Sequence, residues 1–410
     1  MALRLFQKRG FWALATALVV IFLFFQFRSD PGSGPNPSLA RDPRHWTRGP
    51  LRDIANSTFG FEKIFVVGLP SRSDRRDGMV LQAALSDMQF EFIDGVMGKD
   101  VPDKAVPSSP EHTRLADASI GSWRAHMNAV REIVHRNLTT ALILEDDVDW
   151  DVRIRDQLHD FALSTHALTQ PLRSSQGTRN PPTYADETYP QPRDNSPEAL
   201  PDWDFHSLPS TTLPTASPYG DNWDILWVGH CGMHFPFKRS RTVPKARIIR
   251  RDDETVAPRK NLWTLNIPFT LKENYPDHTR AYHHVQEGVC TLGYALTQRG
   301  ARRLLHEVGL KDVSTAYDLL LRYFCEGEKG RRAGRQCLTT QPSLFHHHRM
   351  IGPMNIMSDI GDHGDAFRDT AMTDMVRWSV RLNADVLMDG RTDFVNQYPD
   401  DVEGQVEQGV

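Results

Sequence analysis

The sequence predicts an α/β fold on a mainly parallel sheet, carried behind an N-terminal apolar anchor. Short β-branched runs alternate with helical patterns between residues 61 and 145. One apolar run near the amino terminus stands apart from an otherwise ordinary composition. Four carboxylates crowd the end of the most apolar strand pattern. Strands separated by helices pair in parallel, because a crossover long enough to hold a helix returns the chain to the same edge of the sheet.

In order, the first strand signal is Ile64, Phe65, Val66 and Val67, closed by Gly68 and Pro70. A polar helical segment at 74–87 and a second strand at 89–93 follow. Residues 118–136 place Ile120, Trp123, Met127, Val130, Ile133 and Val134 at helical spacing, and Ala141 to Leu144 form a continuous apolar strand. From 165 to 220 the chain turns to Pro, Ser, Thr, Asp and Asn, a composition predicting an unordered surface insertion that could be deleted with little loss. Strand patterns resume at 223–229 and 289–296, with a helix at 298–308 and an amphipathic stretch around 375–387.

The 410 residues are 39% hydrophobic and 24% charged, enough for a sizeable core, and no repeat of fixed period is present. A net charge of −4 excludes the basic field of a nucleic-acid binder. Residues 11–25 are apolar except Thr16, and bulky Phe24, Phe25 and Phe27 stand where a signal peptidase needs small residues. Arg4, Lys8 and Arg9 precede the run, so the positive-inside rule keeps the amino terminus cytoplasmic and the rest lumenal. The expected organisation is a cytoplasmic tail (1–10), a transmembrane signal anchor (11–27) and a flexible stem (28–60). A main domain (61–370) with a disordered insertion (165–220), then a C-terminal helix and acidic tail (371–410), complete it. Golgi or endoplasmic reticulum membrane is the expected location. Sequons at Asn56 and Asn137 and an even count of four cysteines accord with a lumen. Spacing leaves three pairings open, with Cys231–Cys290 and Cys325–Cys337 preferred, beside the alternative of four buried thiols.

The sharpest local feature is Glu145, Asp146, Asp147 and Asp149, directly after the 141–144 strand. Ligands of α/β proteins bind at such carboxyl ends, and clustered acids need a cation, which Mg²⁺ or Mn²⁺ shared with a phosphate would supply. A solvated acidic turn is the plain alternative.

Further blocks occur in order. Residues 64–70 with Arg72, Asp74, Arg75 and Arg76, then Phe92, Ile93, Asp94 and Gly95, resemble the opening of glycosyltransferase family 25, which includes bacterial lipooligosaccharide and animal procollagen galactosyltransferases. Residues 121–126, 142–148, 223–229 and 293–305 are similar to successive family blocks, as are Tyr317 and Asp318, 342–344 and 358–360. Ser122, Ala125 and the triplet His346, His347, His348 depart from the family pattern. The resemblance implies a GT-A type fold, a UDP-sugar donor, a glycan or glycoprotein acceptor and inversion. It assigns Asp147 as the Mn²⁺ or Mg²⁺ ligand, with Asp149 as a weaker candidate; apart from the resemblance, His346 of the triplet could complete the metal shell or be merely exposed. Glu145 and Asp94 are assigned to the donor and Asp146 to support of the turn, while Arg72, Arg75 and Arg76 read either as donor contacts or as an exposed basic helix start. Asp318, with Asp224 in reserve, is the expected base for the acceptor hydroxyl. His126 reads as a core histidine. A membrane-tethered adhesion or scaffold protein without turnover is the alternative from another class. A two-metal phosphoester hydrolase ranks last, because no second acid and histidine group stands at suitable spacing in the sequence.

Overall fold

The computed structural model describes residues 49–107, 113–177, 181–361 and 364–401. The anchor at 11–27 and most of the stem lie outside them. Among the described residues no helix is long and apolar enough to cross a membrane.

The strands are β1 (Lys63–Gly68), β2 (Glu91–Asp94), β3 (Thr140–Glu145), β4 (Val148–Trp150), β5 (Trp203–Asp204), β6 (Ile225–Gly229), β7 (Arg247–Arg250), β8 (Arg280–His284), β9 (Gly293–Thr297), β10 (Cys337–Gln341), β11 (Phe345–Arg349), β12 (Gly352–Pro353), β13 (Phe367–Arg368) and β14 (Met372–Thr373). The helices are α1 (Ser73–Leu85), α2 (Asp117–His135), α3 (Ile154–Thr169), α4 (Thr270–Asn274), α5 (Gln298–Leu304), α6 (Tyr317–Glu326) and α7 (Ala384–Met388).

The large sheet has the order β2-β1-β3-β9-β6-β10-β8-β7-β5. Chained through their pairings, all of its strands run one way except β9 and β8. It is therefore a mixed sheet, mainly parallel in direction, as the strand–helix alternation predicts.

Alternate residues of the central strands enter separate cores. Ile64, Val66, Leu142 and Leu144 pack with Met79 of α1 and Leu158 and Phe161 of α3. Phe65, Val67, Ala141 and Ile143 face Trp123, Met127 and Val130 of α2 with Leu320 and Phe324 of α6. A sheet covered on both faces needs apolar residues at every strand position, which explains the continuous rather than alternating runs. Burying a side chain of this size contributes about 1.5–3 kcal/mol. Trp123, fully buried, also donates its indole N–H to the Val308 carbonyl at 3.2 Å. Both preferred disulfides are present, Cys231–Cys290 and Cys325–Cys337.

Three expectations differ from the structure. Residues 165–220 include the end of α3 and the edge strand β5, and their buried polar groups are satisfied. Asp186 accepts from the Thr188 and Ala246 backbone N–H groups at 2.7 and 3.2 Å, and His166 meets the Pro218 carbonyl at 2.7 Å. Sparse aliphatics masked this order, because hydrogen bonds and Tyr219, stacked on Phe61 at 4.7 Å, supply it. Of the stem, residues 50–55 form a 3₁₀ turn, and Ile54 and Phe59 are fully buried. The 375–387 stretch holds only the short α7, while β14 and the buried Val376 and Val380 bind this end of the chain to the main domain. Residues 402–410 of the expected tail lie outside the described residues.

Candidate functional site

The strands β1, β2 and β3 end together at the same edge, and the loops that leave them enclose a cleft of about 350 Å³. Its lining includes the small or apolar Gly68, Gly95, Val96, Gly98, Gly121 and Ala125 and the polar Arg75, Lys99, Asp117, Ser122, Glu145, Asp146, Asp147 and His347. Two glycines make the close approaches possible. A Cβ on Gly68 would lie 2.0 Å from Asp146 Oδ2, and one on Gly98 would lie 1.8 Å from the Asp117 carbonyl where α2 begins.

Glu145 ends β3, and its backbone N–H is held by the Leu292 carbonyl at 3.0 Å. Its carboxylate Oε1 accepts from Thr291 Oγ1 at 2.8 Å. Asp146 turns inward and takes Arg75 Nη1 at 2.8 Å. Burial, aided by the charge of Asp147, pushes its carboxyl up to about 6 despite that arginine. Arg75 Nη2 also reaches Asp147 Oδ2 at 3.2 Å. Burial works against the Asp147 charge, but Arg75, then His347, Arg349 and Arg381, together hold its carboxyl below the ordinary range. Asp147 Oδ1 is buried with no hydrogen-bond partner. An unmatched buried carboxylate oxygen is costly unless a ligand completes it.

The chain then reverses through β4, which pairs antiparallel with β11, placing His346 opposite Asp149 and His347 opposite Val148. Successive strand residues point to opposite faces. His347 accordingly faces away from Asp149 and His346, and Asp147, in the turn before β4, meets it at the cleft. One ligand atom each from Glu145, Asp147 and His347 lies within 4.8 Å of the others, the single such group among the described residues.

Two expected metal ligands are thus corrected. Asp149 is fully buried and occupied by Gln82 at 2.7 Å, Thr373 at 2.6 Å and Ser379. His346 is buried against the Ser343 carbonyl at 2.8 Å. A one-residue choice within the triplet decided the face, and the sequence carried the signal in the alternation of β11.

The expected bases also lie elsewhere. Asp224 precedes β6, fully buried, bound to Arg299 at 3.0 Å and Arg303 at 2.8 Å. The strand registers put it level with Thr140, and Glu145 lies five residues along β3, roughly 16 Å away at about 3.3 Å per residue. Asp318 does not line the cleft. It accepts from the Cys290 and Leu319 backbone N–H groups at 3.0 and 2.8 Å, shaping the loop that carries Thr291.

Of the expected donor residues, Arg75 lines the cleft. Arg72 joins Asp74 at 2.8 Å and Asp359, a cleft residue, at 2.6 Å. Arg76 turns away to the exposed Asp94 and stacks over Phe92 at 4.4 Å. Sequence reasoning missed Arg381, whose Nη2 donates to the Asp146 carbonyl at 3.3 Å from a segment read as peripheral.

A cleft above the carboxyl ends of a mainly parallel sheet, rimmed by a carboxylate cluster, defines an α/β protein that takes its ligand at that edge. The family model for "Glycosyltransferase family 25 (LPS biosynthesis protein)" matches residues 61–188, which carry β1 to α3 and the acidic motif. That segment resembles a glycosyltransferase family 25 domain. The chain is similar to procollagen galactosyltransferase 1-B of Xenopus laevis, 29% identical over 119 residues, 25% of this chain and 20% of that protein. Procollagen galactosyltransferase 1 of Danio rerio is 30% identical over 113 residues, 25% of this chain and 19% of its own. A human protein named inactive glycosyltransferase 25 family member 3 is 27% identical over 113 residues, with the same two shares. The matching segment thus spans about a fifth of the length of these curated relatives. The blocks beyond residue 188 lie outside the matched range.

Proposed function

We propose that the protein is an inverting hexosyltransferase that moves galactose from UDP-galactose to a hydroxyl of a glycan or protein. The observation that carries this is the convergence of Glu145, Asp147 and His347 in the cleft of a family 25 segment. The names of the frog and zebrafish relatives support galactose as the sugar.

The cluster fits a divalent cation. Two carboxylates and one imidazole are a donor set for Mn²⁺, or for Mg²⁺ with added water. The unmatched Asp147 Oδ1 supplies an oxygen with nothing else to bind. When bound, the ion would offset the negative charge that gathers on the leaving diphosphate. Arg75 fixes both aspartates and adds positive charge at the same wall. Thr291 fixes one oxygen of Glu145, which frees the other to serve as a ligand. The apolar side at Val96, Gly98 and Ala125 gives a base or sugar ring a surface from which water is displaced.

The run at 11–27 supports a single-pass type II anchor in the Golgi or endoplasmic reticulum membrane, with the domain in the lumen. The inactive human relative favours a second reading, a tethered protein of this fold without turnover. A donor screen separates the two. The full chain, given each of several nucleotide sugars with Mn²⁺ or Mg²⁺, should release UDP from UDP-galactose faster than the protein-free control. No nucleotide release from any donor with either metal would favour the inactive reading.

A further inference from the structure

His126 has no role in the reading above, yet it reaches the cleft from α2 while only 2% exposed. Its ring lies on Tyr317 of α6, centroids 4.5 Å apart and planes 11° from parallel. Nδ1 is 3.1 Å from the Tyr294 hydroxyl, which is 2.9 Å from the Tyr317 hydroxyl. Nε2 is 3.3 Å from Thr291 Oγ1 and 3.4 Å from Glu145 Oε1, the oxygen that Thr291 itself holds.

Only one direction of hydrogen bonding satisfies the whole chain. Burial pushes both phenols up, so each keeps its proton. If Tyr317 donates to Tyr294 and Tyr294 donates to Nδ1, the neutral ring carries its proton on Nε2 and presents it to Thr291 and Glu145. In the reverse direction a lone pair on Nε2 would face a carboxylate oxygen, and the Tyr317 proton would end without an acceptor among the described contacts.

We infer that His126 is a positioning residue for Glu145. Tyr294 and Tyr317 fix its tautomer, and its Nε2–H, with Thr291, clamps Glu145 Oε1 so that Oε2 is turned to the metal and donor. This rests on the reading of Glu145 as a ligand-facing carboxylate. Groups that orient a metal-binding carboxylate from behind typically change affinity about 10–100-fold when removed.

The test uses the full chain and MnCl₂ alone, titrated calorimetrically, with thermal melts alongside. His126→Leu should weaken Mn²⁺ binding about 10–100-fold. His126→Gln, whose terminal amide can donate from near the Nε2 position, should restore most of it. Tyr294→Phe, which frees the tautomer, should weaken binding in the same direction and serves if the leucine variant does not fold. A merely structural histidine would instead lower the melting temperature in all three while Mn²⁺ affinity stays at the wild-type value, and that result overturns the proposal. If the wild type binds no Mn²⁺, the metal reading fails by itself. Metal-free crystal structures of the variants then decide the positioning role. Glu145 leaving Thr291 supports it, and an unmoved Glu145 overturns it.

Discussion

Asp147 and Asp149 are both aspartates two residues apart on one acidic stretch, and the structure gives them opposite tasks. Asp147 keeps one oxygen unmatched at the cleft, whereas Asp149 ties Gln82, Thr373 and Ser379 together in the interior. Asp147→Asn should therefore lower turnover at least a hundredfold with the fold intact, several kcal/mol of transition-state stabilisation. Asp149→Asn should mainly lower stability, by about 1–3 kcal/mol as buried bonds are broken. Activity assays paired with urea melts separate these outcomes, and equal activity loss without destabilisation in both would contradict the assignment. A second residue makes a pH prediction. Burial, opposed by the Glu287 N–H and Arg322, pushes the buried Glu326 carboxyl up to about 7. The folded state thus holds a proton that the unfolded chain releases near the ordinary glutamate value, so the contribution is full below about 4.5 and is lost as pH rises through about 7. This is roughly 3–4 kcal/mol at most, at about 1.4 kcal/mol per pK unit. Urea melts from pH 4.5 to 7.5 should show stability falling with pH more steeply in the wild type than in Glu326→Gln.

The hairpin-like pairing of β4 with β11 is the element on which the site depends, because it carries His347 across some two hundred residues of sequence to the acidic motif. His347→Ala should weaken Mn²⁺ binding with little change in melting temperature, and His346→Ala should do the reverse. Calorimetry and thermal melts on both variants check the face assignment. How far such features could be read beforehand follows from range. The strands β1 and β3 and the helix α2 announce themselves by local apolar spacing, and the acidic motif by its place after β3. The His347 contact is long-range, and only the two-residue alternation along β11 points to it. The order in 165–220 was hidden for a related reason, since backbone groups, some of them distant in sequence, hold it rather than its own aliphatics. Asp186, buried and bonded to Thr188 and Ala246, makes that testable. Asp186→Ala should cost about 1–3 kcal/mol in a urea melt, by stranding buried donors. A change within about 0.5 kcal/mol, the usual scale for a plain surface site, would return the segment to an unordered insertion.

At the scale of the whole molecule, the acidic side of the cleft is built from the first part of the domain and closed by its last. Arg381 and Thr373, from a segment the sequence presents as a tail, brace Asp146 and Asp149. The folded unit that shapes the cleft therefore extends at least from the 3₁₀ turn at 50–55 to β14 and beyond. The proposed topology puts all of it on one side of a membrane, so protease added to sealed microsomes should spare the domain until detergent is present. Digestion without detergent would reverse the orientation. If Glu145, Asp147 and His347 join a cation to a nucleoside diphosphate, calorimetric titration of UDP into the full chain will register it. UDP should bind the wild type far more tightly with Mn²⁺ than with chelator, and Asp147→Asn should abolish the difference. UDP binding of equal strength with and without the metal, unchanged in Asp147→Asn, would contradict the account.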